Sequence, residues 1–398
     1  MIVIENASQI ISPLKSSIPI YGREMGRLKI YSDKKIWIEN GKIVKITSEY
    51  PDVKYKKIDA EKGVVMPAFV DPHTHAVFSG YRDFELKMKL EGKSYLDILN
   101  SGGGIYYTVN NLRKTSEEDI FNESFKRIKN MVKHGTLSVE IKTGYGLDYK
   151  NEMKILNVID KISKMEIIDV RKTFLFHVIP KDINYETFLN EMFKILEEKR
   201  NHIDFVDVFC DEGAFSLNDT KEILEKSQKM GFKLKLHADE LKYIGCSSLA
   251  KEFKIHTMDH LLNLPESNYQ YLKNTILVLL PGTSLTMMQN KYANARKMID
   301  YGLSIALATD LNPNCYNENM QEIISLSIYN MKMKIEEAIT ASTFNAALAA
   351  GFNNKGLIEE GYDADIIILD IPEYTHIGYH FGINLVKKVI KNGKELII

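Results

Sequence analysis

The chain has 398 residues, 44% of them hydrophobic, and its 52 Lys and Arg residues nearly balance 53 Asp and Glu residues. This length exceeds one small domain and fits a barrel with a smaller satellite domain. The balanced charge argues against nucleic acid or an anionic membrane as a partner. The N-terminus lacks a basic leader before a long apolar stretch, and the apolar runs are too short to cross a bilayer.

Three cysteines, Cys210, Cys246 and Cys315, are widely spaced and odd in number. They do not form the pattern of a disulfide framework or of a zinc ribbon. We therefore expect no disulfide framework, a reducing compartment and a cytoplasmic protein.

Both ends of the chain have the composition of short β-strands joined by turns. Near the N-terminus, β-branched runs flank an Asn40-Gly41 pair, and the C-terminal segment contains a second pair, Asn392-Gly393. Asn-Gly between two apolar runs is a strong indication of a β-hairpin. We expect the two ends to meet in one small β domain.

The middle of the chain alternates short β-type runs with stretches of helical period. The eight runs are residues 64–70, 136–141, 173–176, 205–209, 232–236, 255–258, 275–280 and 303–308. Eight β/α repeats predict a parallel sheet, and eight strands close a barrel, with a doubly wound open sheet as the alternative. Polar residues just past most runs favour the barrel, whose active sites lie at the C-terminal strand ends.

The predicted fold is therefore α/β, with a TIM-like (β/α)8 barrel and a small β-sandwich domain. The boundaries that follow from these patterns assign residues 1–64 and 355–398 to the composite β domain. The barrel then spans residues 65–354.

Four residues at strand ends have the chemistry of metal ligands. His73 and His75 end the first run two residues apart, so an extended strand points both imidazoles to one side. His237 ends the fifth run and Asp310 follows the eighth. Taken one at a time, each residue has a structural explanation: His73 and His75 as polar residues at a strand end, His237 as a buried structural histidine, and Asp310 as a helix N-cap. Together, nitrogen and oxygen donors with an open water position are typical of catalytic zinc and also suit iron.

Other polar residues lie at the same predicted rim. Glu240 follows His237 by three residues, where a carboxyl group could move protons, and His260 ends the sixth run, where a buried structural histidine is the alternative. His177 and Tyr145 follow the third and second runs. Lys142 as a metal-bridging carbamate is rejected, because it precedes the rim and a single-metal set is already complete.

This combination of strand ends resembles the amidohydrolase superfamily, whose cyclic-amide hydrolases and aromatic-base deaminases use one metal in this way. Within it, the chain is similar over nearly its whole length to the imidazolonepropionase family. The segments that carry the resemblance are HTHAVFSGYRDFELKMKLEGKSYLDILNSGGGI, VEIKTGYGLD, KLHADEL, LLPG and ATDLNP.

The resemblance implies a homodimeric enzyme that hydrolyses 4-imidazolone-5-propanoate to N-formimidoyl-L-glutamate in histidine degradation, with one zinc or iron ion. The implied roles are metal binding by His73, His75, His237 and Asp310, substrate binding by Arg82, Tyr145, His177, Glu240 and Asn312, and catalysis by Glu240, His260 and Asp310. One departure is that Asn314 and Cys315 stand where the family usually has Gly followed by Thr or Ser, which puts substrate contacts of those two positions in doubt.

Two other functions remain as alternatives. A purine or pyrimidine deaminase on the same scaffold would share the metal ligands, and ammonia release would distinguish it. A catalytically inactive relative that acts in binding or assembly would be expected to have lost ligands, and no ligand is missing from this sequence.

Overall fold

The computed structural model describes residues 1–93, 97–98, 101–181, 183–288 and 290–397. Seven strands precede the barrel: β1 (Ile2–Glu5), β2 (Gln9–Pro13), β3 (Leu28–Tyr31), β4 (Lys35–Glu39), β5 (Lys42–Thr47), β6 (Lys56–Asp59) and β7 (Val64–Pro67). These short strands agree with the β-rich composition that the sequence shows in this region.

The middle of the chain forms a parallel sheet of eight strands that neighbour each other in chain order. Its strands are β8 (Phe69–Thr74), β9 (Thr136–Lys142), β10 (Asp169–Phe176), β11 (Phe205–Cys210), β12 (Lys233–Ala238), β13 (Ile255–His260), β14 (Ile276–Leu279) and β15 (Ser304–Leu307). Backbone hydrogen bonds beyond β15 return to β8, from Asp310 N–H to His73 O (3.2 Å) and from His75 N–H to Leu311 O (2.9 Å). The predicted barrel is confirmed.

Three C-terminal strands, β16 (Ile366–Leu369), β17 (Val386–Lys391) and β18 (Lys394–Leu396), complete the terminal sheets. One sheet has the order β5-β4-β1-β6 and the other β18-β17-β16-β7-β2-β3. Both sheets contribute isoleucines to one apolar core, among them Ile4, Ile38 and Ile366. This packing of two sheets face to face is the predicted small β-sandwich.

Both Asn-Gly pairs form hairpin turns. Asn40 and Gly41 have φ of 49° and 77° between β4 and β5, and Asn392 and Gly393 have φ of 49° and 76° between β17 and β18. Two consecutive positive φ angles are what a type I′ turn requires, and Asn-Gly adopts them at low cost.

Helices lie between the barrel strands and beyond the last of them. Those that the structure describes are α1 (Asp83–Leu90), α2 (Ile105–Lys114), α3 (Glu117–Lys133), α4 (Tyr149–Ser163), α5 (Tyr185–Glu198), α6 (Leu217–Lys229), α7 (Pro281–Thr286), α8 (Ala295–Tyr301), α9 (Met320–Met331), α10 (Ile335–Ser342) and α11 (Phe344–Ala349). The helices α3 to α6 each begin after a capping residue whose side chain accepts a hydrogen bond from a backbone N–H group of the first turn. The capping residues are Ser116, Asp148, Asn184 and Ser216. Among the described residues, no helix is long and apolar enough to span a bilayer.

Two sequence-based predictions of elements are wrong in detail. The apolar run 64–70 is not one strand, because β7 pairs with β16 in the terminal sheet and β8 begins the barrel after Ala68. The helical period of residues 284–299 likewise predicts one continuous helix, but α7 ends at Thr286 and α8 starts at Ala295. Periodicity alone does not reveal a change of partner sheet within an apolar run.

The cysteines also differ from expectation. Cys210 at the end of β11 and Cys246 after β12 form a disulfide, with a Cα–Cα distance of 6.0 Å, and Cys315 is a buried free thiol. The separation of 36 residues conceals this proximity, because only the pairing of β11 with β12 brings the two cysteines together. The proposed domain boundaries, 1–64 with 355–398 and 65–354, stay a prediction.

A partly buried group of ion pairs joins the start of the barrel strand β10 to the C-terminal segment. Asp169 Oδ2 lies 2.5 Å from Lys391 Nζ and 2.6 Å from Lys355 Nζ. Both lysines also contact Asp365, at 2.8 Å and 2.6 Å. Burial alone would raise the pKa of Asp169, but the charges of Lys391 and Lys355 outweigh it and hold that pKa below its ordinary value.

We predict that Asp169→Asn lowers the free energy of unfolding by about 1–2 kcal/mol at neutral pH, a value reduced for the partial exposure of the side chain. A carboxyl whose pKa is lowered by folding stabilises the folded state above its unfolded pKa of about 3.9. That contribution is lost as the pH falls through the folded pKa, so the deficit of the variant should shrink in acid. Urea unfolding at several pH values measures this.

The matched control is Glu49→Gln, which removes the carboxylate of an exposed ion pair with Lys45. It should change the stability little at any pH. An Asp169→Asn deficit that is absent at neutral pH, or that grows as the pH falls, would contradict the stabilising role of the ion pairs.

Candidate active site

The four residues predicted as metal ligands converge at the C-terminal mouth of the barrel. Asp310 Oδ1 lies 3.5 Å from His73 Nε2 and 3.5 Å from His75 Nε2, and the rings of His73 and His237 are 4.5 Å apart. Two groups of three residues could each hold a metal ion, because the donor atoms within a group all lie within 4.8 Å of one another. The groups are His73 with His75 and Asp310, and His73 with His237 and His260. His260, which sequence analysis assigned to catalysis, therefore also lies within reach of a cation.

The donor atoms have the environment that a metal ion requires. Within the part of the chain that the structure describes, the buried atoms His73 Nε2 and Asp310 Oδ1 have no hydrogen-bond partner. Leaving such groups buried and unpaired is costly, and a cation would satisfy both. Burial lowers the pKa of His73 and His75, which favours the neutral imidazoles that bind metals. Nitrogen and carboxylate donors in this number fit a zinc or iron ion.

Neighbouring side chains orient three of these residues, two through carboxylates and one through a hydroxyl group. His73 Nδ1 donates to Asp259 Oδ2 (2.6 Å), and His237 Nδ1 lies 3.0 Å from Asp207 Oδ2. Thr283 Oγ1 donates to Asp310 Oδ2 (2.5 Å), which leaves Oδ1 toward the histidines. Sequence analysis missed Asp207 and Asp259. Asp207 could have been found as the one acidic residue in the otherwise apolar strand β11. The strand β13, with the sequence IHTMDH, is too polar for Asp259 to stand out.

Glu240 and His260 form a second pair beside the metal-type donors. Glu240 Oε2 lies 3.6 Å from His260 Nδ1, and both side chains are buried. Burial, with the negative charges of Asp310 and Asp211, raises the pKa of Glu240 well above its ordinary value, which favours the protonated form of its carboxyl group. A protonated carboxyl in this position can donate a proton.

The segment that carries Glu240 is held by Asp211, which sequence analysis also missed. Asp211 accepts the backbone N–H groups of Glu240 (2.9 Å), Leu241 (2.8 Å) and Lys242 (3.0 Å). Three bonds from consecutive residues to one carboxylate fix the turn after β12, and with it the position of Glu240.

The residues that the sequence assigned to substrate binding line one cavity with the metal-type donors. That cavity is lined by Arg82, Tyr145, His177, Asn312 and Asn314 together with His75, His237, Glu240, His260 and Asp310. Burial lowers the pKa of His177 to about 3, so this imidazole is neutral, and its Nδ1 donates to Gly144 O (3.1 Å). Burial also raises the pKa of Tyr145, which stays a neutral hydrogen-bond donor.

Arg82 is held by a carboxylate on one edge of its guanidinium. Its Nε and Nη2 donate to the two oxygens of Glu85, each at 2.8 Å, and Glu85 also accepts the N–H of Gly104 (2.7 Å). A guanidinium has five N–H donors, so the outer edge with Nη1 keeps three of them. The Gly102–Gly104 segment is the turn directly before α2.

The loop after β15 uses Asn312 for its own structure. Asn312 Oδ1 accepts the N–H groups of Asn314 (2.8 Å) and Cys315 (2.9 Å), and its Nδ2 donates to Asp310 O (2.8 Å). The Asn314 side chain faces the cavity instead, and its Oδ1 accepts from Lys89 Nζ (2.7 Å). Because an ammonium only donates, this bond assigns the oxygen of Asn314 and leaves its NH₂ group turned away from Lys89.

Comparison with known proteins identifies the family. The model of the amidohydrolase family matches residues 64–396. A protein from Staphylococcus saprophyticus named imidazolonepropionase is 40% identical, over 100% of this chain and 97% of its own length. A protein from Thermoplasma volcanium, also named imidazolonepropionase, is 40% identical over 98% of this chain and 96% of its own length. The crystal structure of guanine deaminase from C. acetobutylicum has a TM-score of 0.71 at 17% identity, with 99% of both chains covered, a likeness of fold alone. The chain therefore belongs to the amidohydrolase family and, within it, to the imidazolonepropionases.

Proposed function

We propose that this protein hydrolyses 4-imidazolone-5-propanoate to N-formimidoyl-L-glutamate, a step of histidine degradation. The observation that carries this proposal is that His73, His75, His237 and Asp310 lie together beside a cavity that Arg82 also lines. The cavity thus combines donors for a metal ion with a fork that matches a carboxylate. The relatives named imidazolonepropionase, which match this chain over nearly their whole length, support the choice of substrate.

The ion that these donors would hold is zinc or iron. When bound by His73, His75, His237 and Asp310, it supplies a Lewis acid that acidifies water and polarises the ring carbonyl. Metal content of the untagged protein, measured by elemental analysis, distinguishes the two ions. We expect the enzyme to be a cytoplasmic homodimer, as the family resemblance implies.

Different side chains around this centre would accept and donate the protons of the reaction. Asp310 Oδ1 would accept the proton of the attacking water as oxygen bonds to the ring carbonyl carbon. His260 would steady the negative charge that develops on the carbonyl oxygen. Glu240 would donate its proton to the ring nitrogen as the C–N bond breaks, so that water is consumed and the ring is opened. Asp211, through the turn after β12, keeps Glu240 at this position.

The acid side chain of the substrate would lie at the opposite end of the cavity. Arg82 would pair with the carboxylate through its outer edge, while Glu85 holds the inner edge. The NH₂ group of Asn314, whose carboxamide oxygen accepts from Lys89, would be a further donor for the same carboxylate. Asn312 would contribute mainly by folding the loop, since its carboxamide oxygen is already shared by two backbone N–H groups.

The substrate assignment is tested by following the ultraviolet absorption of 4-imidazolone-5-propanoate with the purified, metal-loaded protein. We expect the band to disappear and His237→Ala to lose both the metal and the turnover. His202→Ala, which changes an exposed histidine, is the control and should keep both. A metal-loaded wild-type protein that leaves the band unchanged would overturn the substrate, and ammonia release from guanine or cytosine would replace it by a deaminase.

The role of Glu240 is tested by Glu240→Gln, which keeps the shape of the side chain but cannot supply its proton. We expect kcat to fall by about 100- to 10,000-fold, the usual contribution of a general acid, with unchanged metal content. Glu212→Gln, at an exposed carboxylate paired with Lys242, should have wild-type kcat. Wild-type turnover by Glu240→Gln would remove the residue from the mechanism.

The role of Arg82 is tested by Arg82→Met, which keeps much of the apolar stem and removes the fork. Losing a charge-assisted pair should raise KM by about 10- to 100-fold and change kcat less. Arg27→Met, at an exposed arginine, is the matched control. An unchanged KM for Arg82→Met would show that the substrate carboxylate is held elsewhere.

A further inference from the structure

Directly beneath the metal-type donors lies a layer of five charged side chains inside the barrel. The layer consists of Glu140, Lys142, Asp207, Lys235 and Asp259, and each has 0% exposure. They come from β9 and, across β10, from the three adjacent strands β11, β12 and β13. Burying five charges in a barrel core is expensive unless each one is paired. The contacts of each charged group therefore indicate its role in the barrel.

Two carboxylates of this layer contact histidines of the proposed metal site. Asp259 Oδ2 accepts from His73 Nδ1 (2.6 Å), and Asp207 Oδ2 lies 3.0 Å from His237 Nδ1. Asp207 also accepts the backbone N–H of His237 through Oδ1 (3.2 Å). A carboxylate on Nδ1 fixes the ring rotation and leaves Nε2 as the atom that faces a metal.

Lys142 is the cation that both carboxylates share. Its Nζ lies 2.8 Å from Asp207 Oδ2 and 3.7 Å from Asp259 Oδ2, the same oxygens that face the imidazoles, and 2.9 Å from Glu140 Oε1. Burial alone would lower the pKa of Lys142, but the charges of Asp207, Glu140 and Asp259 raise it above its ordinary value. Without this ammonium, two like charges would lie close together in a medium of low dielectric and repel each other.

Lys235 provides an internal comparison, because it is equally buried but differently connected. Its Nζ lies 3.3 Å from Glu140 Oε1 and donates to Pro72 O (3.0 Å). In the described parts of the chain, no ion pair joins Lys235 to Asp207 or Asp259. One buried lysine thus contacts the carboxylates that hold the histidines, and the other does not.

We propose that Lys142 is a positioning residue for the metal centre: by anchoring Asp207 and Asp259 together, it fixes the rotation of His237 and His73 so that both rings present Nε2 to the same point. This inference rests on the proposed metal-dependent function. A purely structural Lys142, which only neutralises buried carboxylates, would affect the stability of the barrel but not the arrangement of the ligands.

The experiment compares Lys142→Met with Lys235→Met in the full chain. Each substitution removes one fully buried ammonium and keeps a side chain of similar length, so both should lower the melting temperature. We measure zinc affinity by competition with a chromophoric chelator and the visible absorption of the Co²⁺-loaded proteins. Lys142→Met should bind zinc about 10- to 100-fold more weakly, as expected when an outer partner of a ligand is lost, and its Co²⁺ bands should shift. Lys235→Met should keep the zinc affinity and the Co²⁺ spectrum of the wild type.

A second variant keeps the test decisive if Lys142→Met does not fold. The double variant Lys142→Met/Glu140→Gln removes one charge of each sign and still breaks the link to Asp207 and Asp259, so it should show the same weakened zinc binding and shifted Co²⁺ bands. Wild-type zinc affinity and Co²⁺ bands in a folded Lys142 variant would overturn the inference, as would equal losses in Lys235→Met. A wild-type protein that binds neither zinc nor Co²⁺ would instead overturn the proposed metal centre.

Discussion

The closure of the barrel between its first and last strands determines where the reactive groups lie. The hydrogen bonds that close it join His73 to Asp310 and His75 to Leu311 through the backbone. Asp71 reinforces the same seam by accepting from the backbone N–H (3.2 Å) and the hydroxyl group (2.5 Å) of Thr309. Three of the four proposed ligands, His73, His75 and Asp310, therefore lie on two chain segments whose relative register is fixed by hydrogen bonds of the barrel itself. A site built on such rigid elements needs little reorganisation when an ion binds.

The interior beneath that seam is stabilised by charge as well as by apolar packing. Of the five charged residues in the layer below the ligands, two are lysines and three are carboxylates, which leaves one net negative charge when all are ionised. Asp310 adds a second. With all six groups ionised, a divalent cation would bring the sum to zero. Metal binding and barrel stability are expected to be coupled for this reason.

The sequence could predict those parts of the fold and site that depend on local pattern. The spacing of His73 and His75, the alternation around His237 and the two Asn-Gly turns all have a direct local cause. What it could not predict depends on partners that are distant in the chain. Asp207 supports His237 only because β11 and β12 pair in a register that sets Asp207 opposite Lys235. Cys210 and Cys246 become neighbours through that same pairing.

Metal ligands alone do not separate a cyclic-amide hydrolase from an aromatic-base deaminase, because both reactions need the same activated water. Under the proposed function the distinction would come from Arg82, which Glu85 holds while it also accepts the N–H of Gly104. A Cβ atom at Gly103 would lie 2.9 Å from Glu85 Oε1, so the close approach of this turn requires glycine. The proposed preference for an acid side chain would then depend on the segment between β8 and α2, which carries Arg82, Glu85 and Gly103. Substrate choice can change there while the seam that carries the ligands stays the same.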